Sequence, residues 1–433
     1  MSNSMKREIG LAGAILMGLG SIVGTGVFVS IGIAAGVAGA NVLPAIFLAS
    51  LLAICNGLSS AQLAASHPVS GGTYEYGYRW LTPMLGFAAG WLFLCAKSAS
   101  AATALLGLAG YLCAATMGAQ HSVDVLMLVL ALTALLLLTG LTLVDIKRTN
   151  LVNSIIVAVT LVSLILLVCF AMPSAISRAG ENLAGIFVLD QHATKDLLQA
   201  TALMFVAYTG YGRIATLGEE VKSPRRTIPR AMIMTLAATM VLYLSVGFVA
   251  IALVGPKELA LSAKTSVAPL LYAAQSLNMP WINVVLLTGA MTAMLGVVLN
   301  LILGLSRVAL AMARRNDLPR SLSGVNERGV PRSATIFVFV IIGGLVLLGD
   351  VRISWSFSAF SVLLYYSLTN LCAILIEAES RLYPAWISWA GLIGCLSLAL
   401  WITPKVVFIG LIVLLAGLVL RTRLKAITKT WIE

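Results

Sequence analysis

Twelve apolar runs, each about as long as a bilayer crossing, follow one another along the chain. They fall near residues 12–35, 41–64, 84–115, 123–144, 150–172, 196–217, 231–254, 281–313, 333–349, 352–376, 384–401 and 404–421. A spanning helix needs about 20 predominantly apolar residues, and backbone inside hydrocarbon must hydrogen-bond within itself. A chain built this way therefore folds as an all-α polytopic membrane bundle, with the lipid bilayer as its solvent. Composition agrees, at 60% hydrophobic and 10% charged residues, where soluble domains have about 25% charged. Disorder is excluded by the same apolar content. Lys6 and Arg7 precede the first run as in a signal peptide, but no small-residue cleavage site follows. The first run is expected to be a retained helix.

The formal net charge is +12, which in a soluble protein points to nucleic acid. Its distribution gives another origin. With the N-terminus inside, about nineteen of the 28 Lys and Arg fall on inner segments, six on outer segments, and three within spans: Lys97, Arg213 and Arg307. The positive-inside rule then predicts a plasma (inner) membrane protein with both termini cytoplasmic and an even number of spans. No nucleic-acid partner is expected. The six cysteines lie inside apolar runs with no C-x-x-C, the three histidines form no H-E-x-x-H, and there is no P-loop. No disulfide, metal site or cofactor is predicted. The spans hold no paired nucleophile and base, so the chain reads as a non-enzyme.

Glycine breaks the pattern twice. The first span carries Gly18, Gly20, Gly24 and Gly26 near its middle; the sixth carries Gly210 and Gly212. Gly24 and Gly210 are 186 residues apart, the separation a repeat of five spans requires. Five is odd, so the halves 12–172 and 196–376 would be inverted relative to each other. Residues 384–421 then form two additional helices of one domain, 1–433. Non-helical backbone at membrane depth is tolerated only around a cavity. A break at Gly24-Thr25-Gly26 would free amides that, with the dipole of the second half-helix, attract a carboxylate. The carbonyls of Ile22 and Val23 would attract an ammonium. Val206 to Gly210, with Ala207 and Thr209, repeats the arrangement in span six, and together the two breaks suit an amino acid zwitterion. Close packing is the better account of a single glycine cluster, and fits Gly32 and Gly36. Two clusters at matching positions favour binding.

These residues also carry a resemblance. The stretch Gly18-Leu-Gly-Ser-Ile-Val-Gly-Thr-Gly-Val-Phe28 resembles the G-x-x-I-G-x-G-I-F signature of the amino acid–polyamine–organocation (APC) superfamily of permeases. Pro68-Val-Ser-Gly-Gly-Thr-Tyr-Glu-Tyr76, with Gly90-Trp91 after it, resembles that family's P-x-G-G-x-Y-x-Y…GW stretch. Phe205-Val-Ala-Tyr-Thr-Gly-Tyr-Gly212, the run Glu219 to Pro229, and Ser306 to Pro319 match further family segments in order. The resemblance implies the inverted five-plus-five fold with broken helices 1 and 6, alternating access, and an amino acid substrate. It implies that the substrate carboxylate meets the amides around Thr25 and Gly26. The amine would meet carbonyls near Ile22, Val206 and Thr209. Counting back from Gly110 places Ala96, Lys97 and Ala101 of span three in the pocket. Three coupling devices known in the family are missing. Thr160 stands where many members have a span-five lysine, Gly212 where some have an acid, and Leu295-Gly296 where a serine pair would help hold sodium.

The charges inside the membrane are therefore informative. A lysine at mid-bilayer costs about 2.5–3.5 kcal/mol on insertion scales and usually marks a pathway. Lys97 is the candidate for a proton-coupling role; a structural tether to carbonyls is the alternative. Arg213 is read as a gate partner of Glu219 or Glu220, or as a bidentate ligand for an acidic substrate. His67 and Arg307 are read as structural, and Asn300 and Asn370 as hydrogen-bonding between helices. The expected protein is a monomeric or homo-oligomeric carrier of small neutral amino acids, working as proton symporter or exchanger. An antiporter of acidic or other substrates and a non-transporting sensor are the alternatives.

Overall fold

The computed structural model describes residues 9–68, 71–117, 125–144, 149–187, 191–215, 221–326 and 329–430. The described residues are helical apart from turns and one isolated bridge between Ile9 and Val221. The helices are α1 Leu11–Ile22, α2 Ile31–Ala38, α3 Val42–Ser66, α4 Thr73–Trp80, α5 Pro83–Met117, α6 Val125–Val144, α7 Thr149–Asn182 and α8 Gln191–Tyr208. They continue with α9 Gly212–Ala215, α10 Pro224–Thr265, α11 Pro269–Gln275, α12 Pro280–Arg314, α13 Arg332–Leu347, α14 Val351–Ile374, α15 Ala385–Leu400 and α16 Pro404–Thr430.

Proline and polar caps set several boundaries. α10, α11 and α12 open on a proline, whose missing N–H is no loss in a first turn. The Asp350 carboxylate caps α14 by accepting from the Ile353 amide at 2.8 Å. Gly255, at φ 78°, kinks α10 just before Pro256. Large apolar side chains such as Val125, Leu400 and Phe408 stand exposed on the outer faces, as lipid-facing residues must.

Eight segments among the described residues are long and apolar enough to cross a membrane, against twelve expected. The difference has a physical cause. Leu11–Ser66 is nearly continuous helix and holds two of the expected spans. α13 and α15 are only 16 residues each. α8, of 18 residues, begins with the polar run Gln191 to Asp196.

α5 and α14 pack against each other at the centre, with α12 against α5 and α7, α10 against α3 and α7, and α8 against α3. The centre is partly polar. Asn370 donates to Asn56, Ser59 and Ser388 pair at 2.9 Å, and Gln62 donates to Ser388 at 3.3 Å, joining α3, α14 and α15. Asn300 donates to Asn153 at 3.3 Å between α12 and α7. Both asparagines thus bridge helices as expected.

Both expected breaks are present, in different forms. Between α1 and α2 the chain leaves helical geometry at Val23 (ψ 103°) and resumes as a π-helical turn over Gly26–Ser30. Between α8 and α9 it tightens into a 3₁₀ turn at Thr209–Tyr211. The two breaks touch backbone to backbone. A Cβ on Gly210 would lie 2.0 Å from the Ser21 carbonyl oxygen, and one on Gly26 would lie 2.5 Å from the Ala207 Cβ. Close approach is therefore what these glycines supply.

Gly210→Ala is accordingly expected to lower stability by about 1–3 kcal/mol, as overpacking does. Gly344→Ala, where a Cβ meets nothing within 4 Å, should leave it unchanged or raise it by up to about 1 kcal/mol. Thermal unfolding of the purified variants checks both.

Candidate substrate cavity

A small cavity of about 40 Å³ lies between the two breaks, lined by Thr25 and Gly26 on one side and Val206, Ala207 and Thr209 on the other. It runs into a larger cavity of about 140 Å³, the two sharing Ser21, Lys97, Thr209, Gly210, Val297 and Leu301. The larger one reaches the end of the bundle that carries α4, whose Thr73, Tyr74 and Tyr76 line it.

Eight of the twelve expected substrate-binding residues line this system: Ile22, Thr25, Gly26, Lys97, and the span-six set Val206, Ala207, Thr209 and Gly210. Four do not. Val23 is buried in the break itself. Gly24 is pressed against Val297 of α12, which a Cβ would approach to 2.5 Å. Ala96 turns its carbonyl to the Ser358 hydroxyl at 2.9 Å, and Ala101 is buried among core side chains. The α5 face that does line the cavities is Gly90, Phe93, Lys97 and Ser100, a three-and-four spacing readable in the sequence. Thr160 lines neither cavity; its hydroxyl donates to the Ile156 carbonyl at 2.8 Å, within α7.

Lys97 is 8% exposed, and its Nζ donates to Thr209 Oγ1 at 2.9 Å and to the Thr209 carbonyl at 3.4 Å. The Tyr366 hydroxyl of α14 donates to the same carbonyl at 3.2 Å. The Tyr243 hydroxyl of α10 donates to the Ile22 carbonyl at 2.9 Å and lies 3.3 Å from that of Ala207. The Val206 carbonyl accepts from Thr209 Oγ1 at 2.8 Å. The carbonyls of Ile22, Val206, Ala207 and Thr209 thus each already accept a hydrogen bond from the chain. The donor side is different. Thr25 is 4% exposed and its hydroxyl has no partner among the described residues. The amides of Gly24, Thr25 and Gly26 likewise donate to nothing described.

Arg213 and Arg307 line the larger cavity together with Lys97, and no described Asp or Glu lines either. Arg307 thus stands in the cavity wall. Glu219 and Glu220 lie outside the described residues. His67 lines neither cavity. Its Nδ1 sits 3.0 Å from the Arg79 guanidinium, and burial, then that charge, pushes its imidazole below the ordinary range.

Sequence reasoning missed one cluster. Asp317, fully buried, accepts from the Arg421 Nε at 2.9 Å and from the hydroxyls of Tyr74 (2.9 Å) and Tyr78, and forms an ion pair with the Lys425 Nζ at 3.3 Å. Burial first, then Asp317, pushes both phenols up, so they remain protonated donors. Arg315 pairs with Glu75 and lies 4.5 Å over the Tyr78 ring. Together these contacts tie α4 to the end of α12 and to α16 at the mouth of the larger cavity. Among the described residues no group of His, Cys, Asp and Glu could hold a metal, and all six cysteines are free.

The amino acid permease family model matches residues 13–433. An uncharacterized transporter of Mycobacterium tuberculosis is 38% identical over 96% of this chain and 90% of its own. A branched-chain amino acid permease of Bacillus subtilis is 28% identical over 80% of this chain and 76% of its own. A cationic amino acid transporter of Arabidopsis thaliana is 27% identical over 78% and 57%.

Removing one partner of a buried ion pair strands the other charge, at about 3–5 kcal/mol. Asp317→Ala should therefore lower thermal stability by about that amount, and adding Arg421→Met should recover part of it. A double-mutant cycle of unfolding measurements gives the coupling directly.

Proposed function

The chain belongs to the amino acid permease family of the APC superfamily, and on that premise we propose that it is a secondary carrier of small neutral amino acids working by alternating access. The carrying observation is the cavity between the two breaks, with unbonded donors at Thr25 and a buried lysine at Thr209. The membrane affiliation follows from the family and the apolar helices. Twelve spans, an inverted repeat over 12–172 and 196–376, cytoplasmic termini and a plasma-membrane location complete the reading, supported by the charge asymmetry. The α4 end then faces the cytoplasm, and the cavity is open inward.

Substrate size follows from the cavity. About 40 Å³ between Val206, Ala207 and Trp355 suits a methyl-sized side chain. The relative named for branched-chain amino acids fits an apolar lining. The relative named for cationic ones fits less well, because Lys97, Arg213 and Arg307 repel a cation. Lys97 is the coupling residue of this reading. A desolvated lysine on a cavity wall can exchange its proton as the pocket opens to either side.

Proteoliposomes provide the test. Uptake of L-alanine should saturate, be accelerated by internal L-alanine, and respond to a pH gradient; Lys97→Met should remove the gradient response. A gradient response that survives in Lys97→Met overturns the coupling role, and unsaturable flux overturns the carrier.

A further inference from the structure

The lining of the small cavity has two origins. One part comes from the breaks themselves, between Ser21 and Gly26 and between Val206 and Gly210. The other is a wall of three further helices: Lys97 and Ser100 of α5, Val297 and Leu301 of α12, and Trp355 of α14. A substrate whose main chain lies between the breaks turns its side chain toward this second wall.

The hydrogen bonds behind that wall decide what it offers. The single N–H of Trp355 is spent on the Leu203 carbonyl at 3.0 Å. Val297 and Leu301 are apolar, and an ammonium such as that of Lys97 only donates. Ser100 is different. Behind it, the Ser358 hydroxyl donates to the Ala96 carbonyl at 2.9 Å. A carbonyl can only accept, so the Ser358 hydrogen is committed there. The Ser100 and Ser358 oxygens are 2.8 Å apart, and the hydrogen between them is therefore that of Ser100. Ser100 Oγ thus keeps its hydrogen on α14 and presents lone pairs to the cavity. Ser21 is also turned this way, donating to the Met17 carbonyl at 2.9 Å, but it stands at the break, where the carrier reading places the ammonium.

We infer that Ser100 reads the substrate side chain, and that the preferred substrates are small amino acids bearing a side-chain hydroxyl, L-serine first. The inference rests on the proposed carrier reading and narrows its substrate class. Lys97, one turn from Ser100 on the same face of α5, carries three N–H donors, two of which go to Thr209. A hydroxyl one atom beyond the substrate's β-carbon donates to Ser100 Oγ and accepts from Lys97. A methyl in its place does neither, and a site built for a hydroxyl discriminates against the analogue that lacks it.

The test uses L-serine, its methyl isostere L-2-aminobutyrate, and L-alanine on the purified full-length protein, read by saturable thermal shift. L-Serine should half-saturate at a concentration about fivefold or more below that of L-2-aminobutyrate. In Ser100→Ala that ratio should shrink by about threefold or more. A merely structural Ser100 would weaken both ligands alike and leave the ratio unchanged. Ser100→Cys, whose sulfur accepts only weakly, gives the same reading should Ser100→Ala not fold. If L-2-aminobutyrate binds as tightly as L-serine, or the ratio survives in the Ser100 variant, the inference falls while the amino acid carrier stands. If none of the three ligands binds, the carrier of small amino acids falls with it.

Discussion

A helix inside hydrocarbon can be interrupted only where something other than water satisfies the backbone it releases. In this protein the something is largely the chain itself. The break between α1 and α2 and the break between α8 and α9 are pressed together, Gly210 on Ser21 and Gly26 on Ala207. The carbonyls of Ile22, Ala207 and Thr209 are closed by side chains from three other helices: Tyr243 from α10, Lys97 from α5 and Tyr366 from α14. Those helices are held in place by their own packing and by the polar contacts among α3, α14 and α15. The cavity is what remains where this mutual satisfaction stops, at Thr25.

Charge follows from the same constraint. Burying a lysine is tolerable where carbonyl and hydroxyl oxygens receive it, and Thr209 offers both. Burying Asp317 is tolerable because two cations and two phenols surround it. The first arrangement sits in the path between the breaks and the second at the mouth of the larger cavity.

The helices and both breaks were legible in the sequence because each is written locally. Apolar runs of about 20 residues and glycine pairs are short-range signals. Lys97 was legible because charge in a span is rare. The register of α5 was misjudged when counted from Gly110. The i, i+3, i+7 face of Gly90, Phe93 and Lys97 gives the cavity wall, and Ala96 and Ala101 lie off it. The closing hydroxyls and the Asp317 cluster were not legible, because they join residues far apart. Tyr243 is 221 residues from Ile22 and Arg421 is 104 from Asp317. A tyrosine in an apolar helix looks the same whether it faces lipid or a broken helix. The unequal form of the two breaks, unwound in one and 3₁₀ in the other, likewise depends on tertiary contact.

The central claim is that substrate occupies the space between the two breaks, reached in this state from the α4 end. Val297 lines both cavities and abuts Gly24. The direct measurement is alkylation of Val297→Cys, in a chain whose six native cysteines are replaced, by a membrane-impermeant maleimide applied from either face. The prediction is labelling from the cytoplasmic face that saturating L-alanine suppresses. Labelling that is indifferent to L-alanine, or a thiol that reacts only from the opposite face, would contradict it.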